Sequence, residues 1–226
     1  MLRLPDHNFR QRDAHKIRGY ISQSWKEFEL LHNHLPDGRT RYSYPLIQYK
    51  VISGTPLILA LGEGIEVLEK IFFELKQLEV GKRVYDNLHK ELITREVEFG
   101  DTEESIHYQF VTPWLALNQP NYRKFRSIGL DLERPALIIH PEQVDMLQSI
   151  MVRNITAVSK ALGYTLRQWH KPVVSVVPNK VYFKNQPMVG FRGSFAIKFL
   201  LPDFLGLGKS VARGFGTVKR VDEAKA

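Results

Sequence analysis

Two histidines separated by one residue are the first feature of this chain that could do chemistry. His32 and His34 lie in the stretch LLHNHLPDG, residues 30–38, just before a turn signal of proline, aspartate and glycine. An imidazole with an unperturbed pKa of about 6.5 can give or take a proton near neutral pH, so the pair could act as general acid and general base. The same pair could instead bind a metal ion or brace the end of a helix.

The metal alternative lacks a familiar ligand pattern. The candidate further ligands are Asp37, Glu63 and His140, and their spacing matches no common metal motif. The chain contains no cysteine, which excludes disulfides, zinc sites built on thiolates and a cysteine nucleophile. All three readings of the histidine pair therefore stay open at this point.

Composition and charge indicate a globular protein that is attracted to polyanions. Of the 226 residues, 43% are hydrophobic and 25% are charged, which is ordinary for a folded chain. The formal net charge of +8 favours nucleic acid as a partner. No run approaches the roughly 20 apolar residues that span a bilayer. The N-terminus MLRLPDHNFR has no signal-peptide core, so we expect a cytoplasmic protein without a membrane partner.

The first hundred residues alternate between strand and helix patterns. The predicted elements are a strand at 2–4, a helix at 11–30, strands at 44–52 and 56–62, a helix at 63–78 and a strand at 92–99. Lys16 and Arg18 fall off the apolar stripe of the first helix, towards solvent. The order strand, helix, strand, strand, helix, strand is typical of the ferredoxin-like fold.

A second unit with a similar pattern follows. Its predicted elements are a strand at 105–111, a polar irregular segment at 118–135, a helix from Pro141 to a C-cap at Gly163, and strands at 172–178, 180–185, 188–201 and 214–221. The second helix of a ferredoxin-like unit is missing. We therefore predict an α+β chain of two tandem ferredoxin-like (RRM-like) domains, residues 1–100 and 101–226. Sheets of this kind bind RNA in many proteins.

A glycine-rich loop near the C-terminus takes the place of the missing helix. GLGKSVARGFG, residues 206–216, holds two cations between two pairs of glycines, and glycines allow backbone N–H groups to approach phosphate closely. A Walker A motif fails because Asp203 stands where its first glycine belongs, and a Rossmann motif fails because Val211 replaces its third glycine. The alternative is a surface turn between strands.

Three aromatic residues in the following strands have two interpretations. Tyr182, Phe183 and Phe191 either line the core or stack on a base. We favour the core for all three.

Several sequence blocks resemble one known family. They are RGYISQSW (18–25), LLHNH (30–34), YPLIQYKVI (44–52), GEGIEVL (62–68), TPWLALNQ (112–119), MVGFRGSF (188–195) and GLGKSVARGFGTV (206–218). Together they resemble the CRISPR precursor-RNA endoribonucleases of type I-B-like systems, within the repeat-associated (RAMP) superfamily. The glycine-rich loop is shared by the wider superfamily, whereas the histidine pair is the more specific mark.

The resemblance implies an activity and assigns residues to it. Such enzymes cut the repeats of a CRISPR transcript without a metal ion, with the ribose 2′-OH as nucleophile, and release guide RNAs. It implies catalysis by His32 and His34, assisted by Lys26 and by Tyr42, with Tyr44 as the alternative tyrosine. The residues that we assign to RNA binding are Lys16, Arg18, Arg192, Gly206, Gly208, Lys209, Arg213, Gly214 and Gly216.

The partners follow from the same resemblance. We expect repeat RNA as substrate and no cofactor, and we count other CRISPR effector-complex proteins and a second copy of this chain as candidate partners. The alternative function is a catalytically silent protein that only holds the repeat RNA. A metal-dependent phosphodiesterase using the histidine pair is a further rival.

Overall fold

The computed structural model describes residues 1–32, 43–138, 140–183 and 186–221. The chain forms two compact units. The first comprises Met1–Glu96 together with Val211–Gly214, and the second comprises Val97–Ser210 and Phe215–Ala226. In the described part of the chain, no helix is long and apolar enough to cross a membrane.

The first unit has the strand order of a ferredoxin-like sheet. Its elements are β1 (Leu2–Arg3), α1 (Ala14–Ser24), β2 (Ile47–Ile52), β3 (Thr55–Ala60), α2 (Gly64–Glu74), β4 (Gln77–Val80), β5 (Arg83–Asp86) and β6 (Glu91–Leu92). The four-stranded sheet runs β2-β3-β1-β6 with antiparallel neighbours, while β4 and β5 form a separate hairpin. The last sheet strand therefore lies beside the first, as the sequence pattern predicted.

The core of the first unit lies between one face of this sheet and its two helices. On β2, Ile47, Tyr49 and Val51 alternate along the strand and belong to the same buried cluster as Ile17 of α1 and Ile71 of α2. The strand repeat of two residues and the helix repeat of 3.6 residues bring these apolar side chains to a common surface.

The predicted helix at 11–30 is wrong in length. A 3₁₀ turn at Gln11–Asp13 precedes α1, α1 ends at Ser24, and a separate 3₁₀ turn follows at Glu29–Leu31. Trp25 leaves helical geometry with φ −123° and ψ 65°, and its buried indole donates a hydrogen bond to Glu74 Oε2 at 2.6 Å. The apolar stripe continues past the helix end because the next turn packs on the same core, so periodicity alone overestimated the helix.

The end of the first unit also differs from expectation. The predicted helix at 63–78 ends at Glu74, and the β4–β5 hairpin follows with Gly81 in its turn at φ +69°. The helix was overestimated because Leu75 and Leu78 are buried and continue the helical spacing. Of the predicted strand at 92–99, strand structure is limited to Glu91–Leu92, since its partner β1 has two residues.

The second unit repeats the same strand order. Its elements are β7 (Gly100–Phe110), α3 (Gln119–Ile128), α4 (Pro141–Ala161), β8 (Val173–Phe183), β9 (Gln186–Leu200) and β10 (Val218–Arg220). The antiparallel sheet runs β10-β7-β9-β8. Between β9 and β10, where a second helix would stand, the chain makes a 3₁₀ turn at Val211–Arg213, so the missing helix was predicted correctly.

Helix α4 begins and ends where its sequence signals stand. Pro141 opens the helix, and Gly163 follows its C-cap at φ +69°, a conformation that glycine adopts without steric cost.

The segment at 118–135 was wrongly predicted to be irregular, because it contains α3. Asn118 caps this helix by accepting a hydrogen bond from Asn121 N at 2.8 Å, and Pro120 lies in its first turn. These two signals in the sequence could have revealed the helix. The two predicted strands at 172–178 and 180–185 form the single strand β8, which passes through Pro178; β8 is an edge strand, where proline is tolerated.

Candidate active site

His32 lies at the end of a short turn that helix α1 holds in place. Its backbone N–H donates to Glu29 O at 2.9 Å and ends the 3₁₀ turn. The carbonyl of the preceding Leu31 accepts hydrogen bonds from Arg18 Nη2 at 3.3 Å and from Ser22 Oγ at 3.1 Å. Two side chains of α1 therefore fix the backbone from which the imidazole projects.

The His32 side chain is half-buried, and one of its ring nitrogens lies beneath the surface. Its Nε2 is buried, and none of the described residues forms a hydrogen bond with it. A buried polar atom without a partner is costly unless something binds it. This nitrogen could accept or donate a proton to a group that enters the site.

The backbone of His32 leaves the short turn in an extended conformation. Its dihedral angles are φ −108° and ψ 143°. The predicted catalytic residues are His32, His34, Lys26 and Tyr42. Of these, His34 and Tyr42 lie outside the described residues.

The structure does not bring Lys26 into a described contact with His32. Lys26 is exposed in the turn that follows α1. Tyr44, the alternative tyrosine, is half-buried, and its hydroxyl accepts a hydrogen bond from Gln48 Nε2 at 2.7 Å.

Two arginines that are distant in sequence, one on α1 and one in the loop near the C-terminus, belong to the first unit. Arg213 ends the 3₁₀ turn that packs against α1 and β2 within the first unit. Burial, and then the positive charge of Arg18, lower the pKa of the Arg213 guanidinium. Arg18 also donates to the carbonyl of Leu31, the residue before His32. Positive charge from both arginines favours an anion in this part of the first unit.

The other predicted RNA-binding cations are exposed in other places. Lys16 lies on α1 and its Nζ is 2.8 Å from Asp13 Oδ1, while Arg192 lies on β9 opposite Val177. Lys209 belongs to the second unit, where its backbone N–H donates to Leu115 O at 3.0 Å and its Nζ donates to Leu117 O at 3.4 Å.

The loop glycines have a conformational role that the sequence did not reveal. Gly208, Gly214 and Gly216 have φ of +91°, +87° and +64°, which side-chain-bearing residues rarely adopt. A Cβ on Gly214 would lie 3.0 Å from Tyr49 O, and one on Gly216 would lie 1.8 Å from Leu207 O. Gly206 is buried and bridges to Thr217. These glycines allow the loop to pack closely, and their contact with RNA stays a prediction.

A buried polar chain on β2 was missed by the sequence analysis. Lys50 Nζ donates to Gln48 Oε1 at 2.9 Å, and Gln48 Nε2 donates in turn to the Tyr44 hydroxyl and to Pro45 O. Gln48 and Lys50 are both 0% exposed. Strand alternation would place them on the side opposite the core residues of β2, where polar side chains normally face solvent, so the sequence carried no sign of their burial.

The burial of Lys50 predicts a pH-dependent stability. Burial lowers the pKa of Lys50 from 10.5 to about 7. Between these values the unfolded chain binds more protons than the folded chain, so this lysine makes stability rise with pH. We expect Lys50→Met to remove that dependence. The free energy of unfolding of Lys50→Met, compared with that of wild type, should be most favourable at and below pH 7. This difference should fall by on the order of a few kcal/mol as the pH rises to 10, because wild type gains stability over that range.

Urea unfolding at pH 6 to 10 measures this difference. Lys76→Met, which changes an exposed lysine between α2 and β4, is the matched control and should show no such trend. A constant stability difference between Lys50→Met and wild type across this range would show that Lys50 keeps an ordinary pKa in the folded protein.

Among the described residues, no three His, Asp or Glu side chains come together as a set that could hold a metal ion. Of the further ligands considered for the histidine pair, Asp37 lies outside the described residues. Glu63 precedes α2 and His140 precedes α4.

Comparison with known proteins identifies the family. The model of the Cas6b N-terminal domain matches residues 2–98, and the model of the Cas6b C-terminal domain matches residues 100–221. A crystal structure of Cas6b is 37% identical, with 97% of each chain covered and a TM-score of 0.87.

Two further relatives agree with this match. A crystal structure of the CRISPR RNA processing endoribonuclease Cas6b is 34% identical, covering 97% of this chain and 96% of that one, with a TM-score of 0.72. The uncharacterized protein MJ0978 of Methanocaldococcus jannaschii is 32% identical over 155 residues, which are 68% of this chain and 99% of that protein. The resemblance seen in the sequence is confirmed, and the chain belongs to the Cas6b family of CRISPR-associated proteins.

Proposed function

We propose that this protein is an endoribonuclease that cleaves CRISPR repeat RNA and releases mature guide RNAs. The observation that carries the proposal is the match to the Cas6b family over nearly the whole chain, including a solved relative that is a CRISPR RNA processing endoribonuclease. The buried Nε2 of His32, which has no hydrogen-bond partner among the described residues, supports a chemical role for the histidine motif. The alternative is a catalytically silent protein that binds the repeat RNA.

The proposed reaction is an in-line transesterification that needs no metal ion. The ribose 2′ oxygen forms a bond to the adjacent phosphorus while the bond from phosphorus to the 5′ oxygen breaks. One histidine of the pair His32 and His34 takes the proton of the 2′-OH, and the other gives a proton to the departing 5′ oxygen. The products are a 2′,3′-cyclic phosphate and a 5′-OH. Lys26 and Tyr42 are proposed to assist.

The Arg18 and Arg213 pair is proposed to act on the phosphate. The scissile phosphate gains negative charge as the 2′ oxygen attacks, and positive groups fixed near it stabilise that charge. Arg18 donates to the carbonyl before His32, and the 3₁₀ turn that carries Arg213 packs against α1. The remaining proposed RNA-binding residues would hold the rest of the repeat, namely Lys16, Arg192, Gly206, Gly208, Lys209, Gly214 and Gly216.

A cleavage assay with and without EDTA tests the proposed function against its rivals. Repeat RNA should be cut equally well in both conditions, with a 2′,3′-cyclic phosphate on the upstream fragment. Binding without cleavage would support the silent RNA-binding alternative. Cleavage that is lost in EDTA and restored by a divalent cation would support a metal-dependent phosphodiesterase.

We expect Arg213→Gln to weaken RNA binding and to reduce its salt dependence. Each phosphate contact that is removed lowers the slope of log K against log salt by roughly one. Arg83→Gln, which changes an exposed arginine on β5, is the matched control and should leave the slope unchanged. Titrations at several salt concentrations measure both slopes, and equal slopes for the two variants would remove Arg213 from the RNA interface.

The organisation and surroundings of the protein form part of the same proposal. We propose domains at residues 1–100 and 101–226, a cytoplasmic location and repeat RNA as the principal partner. Assembly with other CRISPR effector-complex proteins and pairing with a second copy of this chain are proposed additional states, which light scattering with and without RNA would distinguish.

A further inference from the structure

The second unit contains a cavity that the proposed reaction does not use. Its volume is about 560 Å³, which lies within the range of small-ligand sites. It is bordered by the N-terminal turn of α3, by the facing ends of β8 and β9, and by Lys209 of the glycine-rich loop.

The inner lining of this cavity is apolar and partly aromatic. Tyr122 of α3 and Phe183 of β8 are both half-buried and both line it, together with Leu117 and Met188. Phe183 packs edge-to-face on Phe215 with ring centroids 6.0 Å apart, which supports its ring from one side. A flat aromatic ligand is the kind that such a lining accepts most readily.

The rim of the cavity is polar and positively charged. Lys180 and Lys209 are exposed on it, and the amides of Asn118, Gln119 and Gln186 lie beside them. No Asp or Glu is among its described lining residues. The N-terminus of α3, capped by Asn118, adds partial positive charge at the same edge. A ligand with a flat ring and an attached anionic group matches this arrangement.

The three aromatic residues that the sequence left with two interpretations lie in different surroundings, and only Phe183 borders the cavity. Phe191 is a core residue as predicted, with 0% exposure. The core assignment of Tyr182 is wrong, because its side chain is 63% exposed. Phe183 borders the cavity and is therefore not a simple core residue.

We propose that this cavity binds one unpaired nucleobase of the repeat RNA. The base stacks on Tyr122 with Phe183 beside it in the lining, and Lys180 and Lys209 neutralise the phosphates that flank it. The inference rests on the proposed function, since repeat RNA is the ligand. It adds a subsite that lies in the second unit, whereas His32 and Arg18 lie in the first.

An abasic scan tests this subsite. Repeat RNA carrying a 2′-deoxy nucleotide at the cut, so that only binding is measured, receives a single abasic nucleotide at each position in turn. We expect one position at which loss of the base weakens wild-type binding by about five- to a hundredfold, the range for loss of a base stacked on an aromatic side chain. With Tyr122→Ala, the same abasic substitution should cause no further loss, because the partner of the base is already absent.

The matched control is Tyr182→Ala, which removes an exposed aromatic side chain of β8 that does not line the cavity. This variant should keep the full abasic loss, and Tyr122→Phe should keep wild-type affinity. A second measurement needs no variant. Placing 4-thiouridine at the position that the abasic scan identifies should give a crosslink on irradiation to a peptide containing Tyr122 or Phe183.

The outcomes separate this inference from the proposed function. Wild-type protein that neither binds nor cuts repeat RNA overturns the function, and the subsite with it. If wild type cleaves normally but Tyr122→Ala and Tyr182→Ala show equal abasic losses, the subsite is overturned and the function is not. Crosslinks that all fall outside peptides containing Tyr122 or Phe183 would have the same consequence.

Discussion

Replacing the ribose immediately upstream of the cut by 2′-deoxyribose is expected to abolish cleavage by this protein and to leave RNA binding largely intact. The proposed reaction takes its nucleophile from the substrate, so a substrate without that hydroxyl has no attacking group. Binding is expected to survive because it depends on phosphate contacts distributed along the RNA, which the substitution leaves in place.

Single-turnover assays with end-labelled RNA measure this effect. A 2′-deoxy substitution one nucleotide further upstream is the matched control and should be cut at nearly the wild-type rate. Robust cleavage of the RNA with the deoxy nucleotide at the cut itself would show that water or a protein group is the nucleophile, and the transesterification mechanism would have to be abandoned.

The fold was predictable where local signals agreed with one another. Helix α4 carries an apolar stripe, a proline at its first position and a glycine after its C-cap, and the structure places its ends at these residues. The order of strands and helices was sufficient to predict both ferredoxin-like sheets, because few topologies accommodate that order.

The errors arose where tertiary packing decides the local structure. The break at Trp25 depends on an indole that packs in the core and donates to Glu74, a residue far along the chain. A stripe of apolar residues records which side chains face the core, and it does not record whether the backbone between them stays helical. The start of β4 was assigned to α2 for the same reason, since Leu78 matches either pattern.

The candidate site was predictable in its chemistry and not in its geometry. The 3₁₀ turn that carries Arg213 packs against α1, which carries Arg18, and no spacing in the sequence shows that packing. Burial of Lys50 likewise depends on what covers a face of β2 that normally meets solvent. Residue types identified proton-transfer groups and cations, whereas the fold determines which of them meet.

His32→Ala and His34→Ala are each expected to slow single-turnover cleavage by roughly 10²-fold or more, the usual scale for loss of a general acid or base. RNA affinity should fall much less, because cations elsewhere supply most of the phosphate contacts. If one histidine is the base and the other the acid, the wild-type rate should be bell-shaped in pH, and each variant should lose one limb. The double variant should be little slower than the slower single variant if the pair acts as a unit.

The position of His32 makes a structural explanation of such losses testable. Its turn is anchored by Arg18 and Ser22, so a variant could lose activity by loosening that anchor. Thermal melts of each variant measure this effect directly, and His15→Ala, which changes an exposed histidine of α1, is the matched control. A chemical role requires a loss of rate in variants that melt like wild type. Wild-type rates in both alanine variants, or losses of activity that follow losses of stability, would make the histidines structural and would move the search for the catalytic groups to other residues.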